Sequence, residues 1–363
     1  MARIALIPGD GVGPELTREL RKVLDVVKTH VKKDLSYEIF PWGGKHFVKH
    51  GESLGPDFIR QLKQSYRGVF IGGLGDPAVY RQNYVHEILG GILHGLKLHI
   101  VEKPVYMMDA RLCPLRDLQR ENFRVTLIRD SIEGLDVAGG RRLRREEGRE
   151  IAVDSHIYDE EHVAEVIEHA LTRAAEDKVQ VVPLILRKAL FPNTHRLWEK
   201  VYSSRIQARD MVSKVMEMPA FLHGFLQDPG TYPMIISPGS TGELLGEVLS
   251  ESVGGKMYTG TLFLNREGKY MAIPDMGSLP GLAGTGRVLP QTALMQLALI
   301  FGQEDMITAA RVLFRAILNS FENQWLPPGA GGSMSTESIG DFIASYVDEQ
   351  LSKALPQSAG GAS

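Results

Sequence analysis

"IALIPGDGVGPELTREL", residues 4–20, sets the terms for the rest of the chain. An apolar run from Ile4 to Ile7 stops at Pro8, turns through Gly9, Asp10, Gly11 and Gly13, and enters a helix at Pro14 and Glu15. Proline suits the first helical position, where its missing N–H would have no helical partner, and an acid there complements the helix dipole. The segment reads as strand, sharp turn, helix. Its glycines fall on alternate residues, unlike the G-x-G-x-x-G of a dinucleotide fingerprint. The free N–H groups of such a turn can hold an anion, or the turn can simply join strand to helix. Both readings stay open.

The same alternation runs outward. Apolar strands are expected at 3–7, 36–41, 68–72, 97–101, 124–129, 180–185, 233–237 and 261–264. Helices are expected at 14–30, 56–65, 161–175, 194–203, 208–217, 241–252, 290–302 and 304–320. Strands alternating with helices predict βαβ units and a largely parallel sheet, an α/β fold. Residues 331–351 carry a closing helix with Ser335 or Thr336 near its N-cap and Glu337 in its first turn. Residues 138–161 are too charged for a core and suit a projecting arm, and the tail 356–363 reads as disordered.

Length and charge narrow the function. The 363 residues suggest about two domains, and 43% apolar content is enough for a large core. A net charge of −3 gives no reason to expect nucleic acid or an anionic membrane. The arginines of "RRLRREEGRE" (141–150) are interleaved with acids, as on a solvated face. The single cysteine, Cys113, excludes an internal disulfide and a cysteine-based structural zinc site, and reads as a small buried hydrophobe. No signal-peptide pattern and no run of 18 apolar residues is present, so a soluble cytoplasmic protein is expected.

The order of motifs resembles the isocitrate and isopropylmalate dehydrogenases, the β-decarboxylating dehydrogenases. The segments that carry it are "IPGDGVGPE", "VFIGGLGDP" (69–77), "RDSIEGLDVAG" (129–139), "KALFPNTHRLW" (188–198), "GELLGEV" (242–248), "MGSLPGLAGTGRVLP" (276–290) and "GGSMSTESIGDF" (331–342). The resemblance implies a two-domain open α/β sheet, not a Rossmann fold, with a dimerisation arm. Residues 1–103 and 251–355 would form the larger, dinucleotide-side domain. Residues 104–250 would form the smaller substrate and dimerisation domain, with the arm at about 138–161.

It also implies oxidation of a 2-hydroxy acid by NAD or NADP, with a divalent metal, Mg²⁺ or Mn²⁺, polarising the hydroxyl. Lys188 then stands at the catalytic lysine and Arg129 at a substrate arginine. Two further substrate positions carry Leu93, which cannot hold a carboxylate, and Lys103, which keeps the charge without the bidentate fork. Asp136 stands where a tyrosine returns a proton. The metal carboxylates become Glu243 and Glu247, four apart on one helix face. The third, counted ten residues before Pro219, falls on Arg209 beside Asp210. With Asp210 turned inward a metal site persists. With Arg209 inward, an ion pair to Glu243 and Glu247 from a partner subunit replaces it. In the dinucleotide loop the frame of Gly277, Ser278, Pro280, Ala283, Gly284 and Gly286 remains, without the usual acid for a ribose hydroxyl. Two functions follow: a diverged dehydrogenase of altered substrate, or a non-catalytic relative acting as a binding or partner subunit. A homodimer is expected in either case, and a hetero-subunit completing the site is the alternative assembly.

Overall fold

The computed structural model describes residues 2–79, 83–115, 123–131, 142–146, 149–153 and 156–354. The chain divides into two compact units. One comprises Met1–Leu96, Lys256–Leu262 and Gly268–Ser363, the other Lys97–Gly255 and Phe263–Glu267.

In the first unit, Ala2–Ile7 pairs in parallel with Leu35–Ile39 on one side and Gly68–Ile71 on the other. Tyr270–Pro274 extends this parallel sheet beyond Gly68–Ile71. A parallel pair needs a crossover, and the helix Gly13–His30 supplies the first one. Ile4 to Ile7 are fully buried, as an unbroken apolar run in a sheet covered on both faces should be. The helix Gly13–His30 packs against the closing helix Thr336–Ala354. A Cβ at Gly340 would collide with the Glu19 carboxylate, so the glycine gives that buried acid its space. Lys22 bridges Glu19 at 2.7 Å and Asp341 at 2.5 Å. Burial holds the Glu19 carboxyl above its ordinary range despite Lys22.

The closing helix is capped by Ser335, whose Oγ accepts the Ser338 N–H at 3.1 Å. Thr336 does something else. Its hydroxyl donates to the Val288 carbonyl and accepts the Val288 N–H, each at 2.9 Å.

In the second unit, Ile100–Tyr106 runs antiparallel to Arg124–Asp130, which pairs in parallel with Met234–Ser237. Leu184–Leu186 and then Val215–Glu217 complete the parallel side. The division falls at Leu96/Lys97 and Gly255/Lys256, and Ile100–Tyr106 pairs along its whole length with Arg124–Asp130.

Three local expectations are corrected. The strand expected at 97–101 is Ile100–Tyr106. The helix expected at 208–217 does not form. Val215–Glu217 is a strand, and the helix is Met218–Gln227 with Pro219 in its first turn. Val212 and Val215 suit extended backbone, and Pro219 is tolerated only at a helix start. Cys113 is half-buried rather than part of the core.

Arg142–Glu146 and Arg149–Val153 form a two-stranded antiparallel hairpin within the expected arm. Asp136, the side chains of 132–148 and the tail from 355 lie outside the described residues. Among the described residues no helix is long and apolar enough to cross a membrane.

Candidate active site

The opening turn supplies an anion, which other segments of the same unit bind. Asp10 is 5% exposed. Its carboxylate accepts the Gly44 N–H at 2.7 Å, the Gly75 N–H at 3.0 Å and the Tyr84 hydroxyl at 2.7 Å. Hydrogen bonds to a charged acceptor contribute about 1.5–3 kcal/mol each. Burial and the Asp10 charge push the Tyr84 hydroxyl well above its usual range, which keeps it a donor. The Asp10 N–H donates to the Gly73 carbonyl at 2.9 Å and the Val12 N–H to the Ser278 carbonyl at 2.7 Å. A Cβ at Gly9 or Gly11 would strike the Gly73 and Ser278 carbonyls, respectively. The alternate glycines therefore serve close backbone packing.

That packing presents the loop 276–290, which lies in the same unit. Ser278 is buried and donates to the Gly75 carbonyl at 2.6 Å. Pro280 begins a single 3₁₀ turn, closed by the Ala283 N–H donating to the Pro280 carbonyl at 3.2 Å. Glu15, 6% exposed at the helix start, accepts the Gly284 N–H. Thr336 anchors the far end through Val288, and its N–H donates to the Gly286 carbonyl at 2.8 Å. Gly277, Gly284 and Gly286 have φ of 68°, 73° and 65°, the left-handed region that only glycine enters freely. A Cβ on any of the three would meet nothing within 4 Å. These glycines leave an unobstructed backbone surface, which fits close approach of a dinucleotide. Leu93 is also in this unit, half-buried on the helix Tyr84–Leu96.

The second unit gathers its charged residues at the carboxyl ends of its parallel strands, where ligands bind in open α/β sheets. Arg129 ends Arg124–Asp130 and faces Ser237 in register. Its Nη1 donates to the Asp130 carbonyl at 2.8 Å, and its Nη2 donates to Glu243. Asp130 in turn accepts the Gly239 N–H at 2.5 Å, at the start of the helix Gly239–Glu251 that carries Glu243 and Glu247. Two glycines one turn apart on that helix make room for cations. A Cβ at Gly242 would sit 2.9 Å from the Arg129 Cδ, and one at Gly246 would sit 3.3 Å from the Lys103 Cδ. Arg129 and Lys103 are each 8% exposed, so their stems are packed and their charges are fixed.

Lys188 follows the strand Leu184–Leu186 and is half-exposed. Its Nζ donates to both oxygens of Glu199, at 2.9 and 3.1 Å. His195 sits beneath this turn, fully buried, and its Nδ1 accepts the Arg187 N–H at 2.8 Å. The proton must then be on Nε2, which has no hydrogen-bond partner among the described residues. Burial, helped by His156, lowers the His195 pKa to about 4. Phe191 stacks on His156 at 4.7 Å and tilts against His195 at 5.1 Å, and His156 Nδ1 lies 3.3 Å from Ser240 Oγ. His195 was not singled out from the sequence. Its only signal is a histidine on the apolar face of a helix, which ordinarily means core.

The carboxylates do not fit a divalent cation. Glu243 is engaged by Arg129. Within the chain, the Arg209 guanidinium pairs with Glu168 at 2.5 Å, and Asp210 beside it is exposed. The count that selected Arg209 was anchored on Pro219, which proves to open the helix Met218–Gln227 after the strand Val215–Glu217. Among the described residues no three His, Cys, Asp or Glu side chains converge as a metal centre requires.

The family described as isocitrate/isopropylmalate dehydrogenase matches residues 3–343. The chain is 24% identical over 351 residues to the 3-isopropylmalate dehydrogenase of Thermobifida fusca, covering 96% of this chain and 98% of that one. It is 26% identical over 314 residues to a Bacillus subtilis protein named "Probable tartrate dehydrogenase/decarboxylase", covering 84% and 86%. In fold it is similar to the crystal structure of isocitrate dehydrogenase from Methylococcus capsulatus, with TM-score 0.83, 19% identity, and coverage of 96% of this chain and 100% of that one.

Proposed function

Because the chain belongs to the isocitrate/isopropylmalate dehydrogenase family, we propose that it is an NAD(P)-dependent oxidoreductase of small 2-hydroxy acids whose substrate is neither isopropylmalate nor isocitrate. The observation that carries this reading is Arg129. It is a fixed, buried guanidinium at the carboxyl end of a parallel strand, two strands away from the turn that holds Lys188. A guanidinium there suits a carboxylate. Lys188 Nζ is the group to move the hydroxyl proton, and Glu199 holds it in place. The backbone of Gly277, Gly284 and Gly286, in the first unit, is the place the resemblance gives for the dinucleotide. Leu93, in place of a cation, argues against a substrate as anionic as isocitrate. Asp136, expected to return a proton, lies outside the described residues.

The test is turnover of NAD⁺ or NADP⁺ against isopropylmalate, isocitrate, tartrate and malate, read by nicotinamide absorbance. A 2-hydroxy acid other than the first two should be oxidised, and Lys188→Met should lower kcat by about 10² or more. A second reading, a non-catalytic binding or partner subunit in a homodimer or hetero-oligomer, draws on the internal pairing of Arg129 with Glu243 and Lys188 with Glu199. It would be favoured by silence across the substrates together with no thermal stabilisation by either nucleotide.

A further inference from the structure

We infer that Arg129 occupies the place of a divalent cation at Glu243, so that this centre is refractory to Mg²⁺ and Mn²⁺. Three restraints hold the guanidinium against Glu243. The Arg129 stem lies on Gly242, where an added Cβ would come within 2.9 Å of Cδ and 3.0 Å of Cβ. Nη1 is bound to the Asp130 carbonyl, whose own carboxylate is tied to the Gly239 N–H at the start of the helix. Nη2 is bound to Glu243. Arg129 is 8% exposed, so it cannot swing into solvent without unpacking from Gly242.

The remaining donors are also unsuited. Mg²⁺ keeps several waters and is held by one or two carboxylates in near-octahedral geometry, and here the Glu243 carboxylate is already engaged by a guanidinium. Glu243 and Glu247 come from one face of one helix. The buried stem of Lys103 lies over Gly246, on the packed side of the same helix. A divalent ion at Glu243 would therefore have to displace the Arg129 guanidinium. Whatever oxygen the centre polarises, it does so with a guanidinium, which donates hydrogen bonds in a plane and does not open a coordination sphere.

The inference concerns ion occupancy and not turnover, so it can fail while the dehydrogenase reading stands, and the reverse. The probe is Mn²⁺, titrated into the whole protein and read by the loss of the free-ion electron paramagnetic resonance signal. Wild type should take up no Mn²⁺ at millimolar concentration. Arg129→Met, which keeps the stem and removes the charge, should bind Mn²⁺ at least tenfold more tightly, and Arg129→Met/Glu243→Gln should lose that binding. Arg129→Lys, which keeps the charge and covers the case in which the Met variant fails to fold, should stay refractory. Uptake by wild type that Glu243→Gln abolishes would overturn the inference. So would a folded Arg129→Met that remains as refractory as wild type, since Arg129 would then not be what excludes the ion.

Discussion

The Tyr84 hydroxyl donates to the Asp10 carboxylate at 2.7 Å and joins residues 74 positions apart, the first turn of the chain and the start of the helix Tyr84–Leu96. The same hydroxyl accepts the Asp76 N–H at 2.5 Å, so it links Asp10 to the turn after Gly68–Ile71. Asp10→Ala should strand two backbone donors and a phenol, costing about 3–5 kcal/mol, whereas Tyr84→Phe should cost about 1–2 kcal/mol. Urea unfolding of the two variants checks the ratio, and equal losses would mean that Asp10 does not act as the hub.

Glycines of the first turn and of the loop 276–290 should answer differently to one added methyl. Gly11→Ala drives a Cβ into the Ser278 carbonyl at φ 56° and should cost more than about 3 kcal/mol. Gly284→Ala meets no atom and should cost only about 1 kcal/mol of left-handed strain. Because that methyl would stand on the open surface, Gly284→Ala should nonetheless weaken NAD(P) binding tenfold or more, measured calorimetrically.

Stability should fall in mild acid because of His195. Its folded pKa, about 4, lies below the ordinary 6.5, so between those values the unfolded chain takes a proton that the folded chain refuses. The stability is fully present above pH 6.5, declines as pH falls towards 4, and loses on the order of 3 kcal/mol across the window. In His195→Asn, whose side-chain carbonyl can still accept the Arg187 N–H, that part of the slope should vanish from a plot of unfolding free energy against pH. An unchanged slope would assign the acid sensitivity elsewhere.

Neighbouring hydroxyls at the closing helix should separate by role. Ser335→Ala removes an exposed N-cap and should cost about 1 kcal/mol. Thr336→Val keeps the shape but strands both the N–H and the carbonyl of buried Val288, and should cost about 2–4 kcal/mol. Thermal unfolding of both variants in parallel decides between cap and anchor.

The fold was readable where periodicity is strong. Gly13–His30 and Arg124–Asp130 fall within a residue of expectation, since each has an unbroken apolar pattern and a clear stop. Legibility failed around 208–219, where a short strand and a helix share one apolar stretch and only Pro219 separates them. The placing of Arg209 was counted along that stretch, and within the chain Arg209 pairs with Glu168. Arg129 was legible as a charge ending an apolar strand, but its pairing with Glu243 joins positions 114 apart and leaves no local trace. Gly242 and Gly246 were the one available clue: small residues four apart on a helix announce that something thick lies against them.

Those two slots separate importance from functional groups. A scan that replaced every acid, base and hydroxyl in the centre would never visit Gly242 or Gly246, although a methyl at the first would lever Arg129 off its partner. Divergence within such a protein can therefore be steered by backbone thinness, and loss or recovery of activity could hinge on residues with no chemistry of their own.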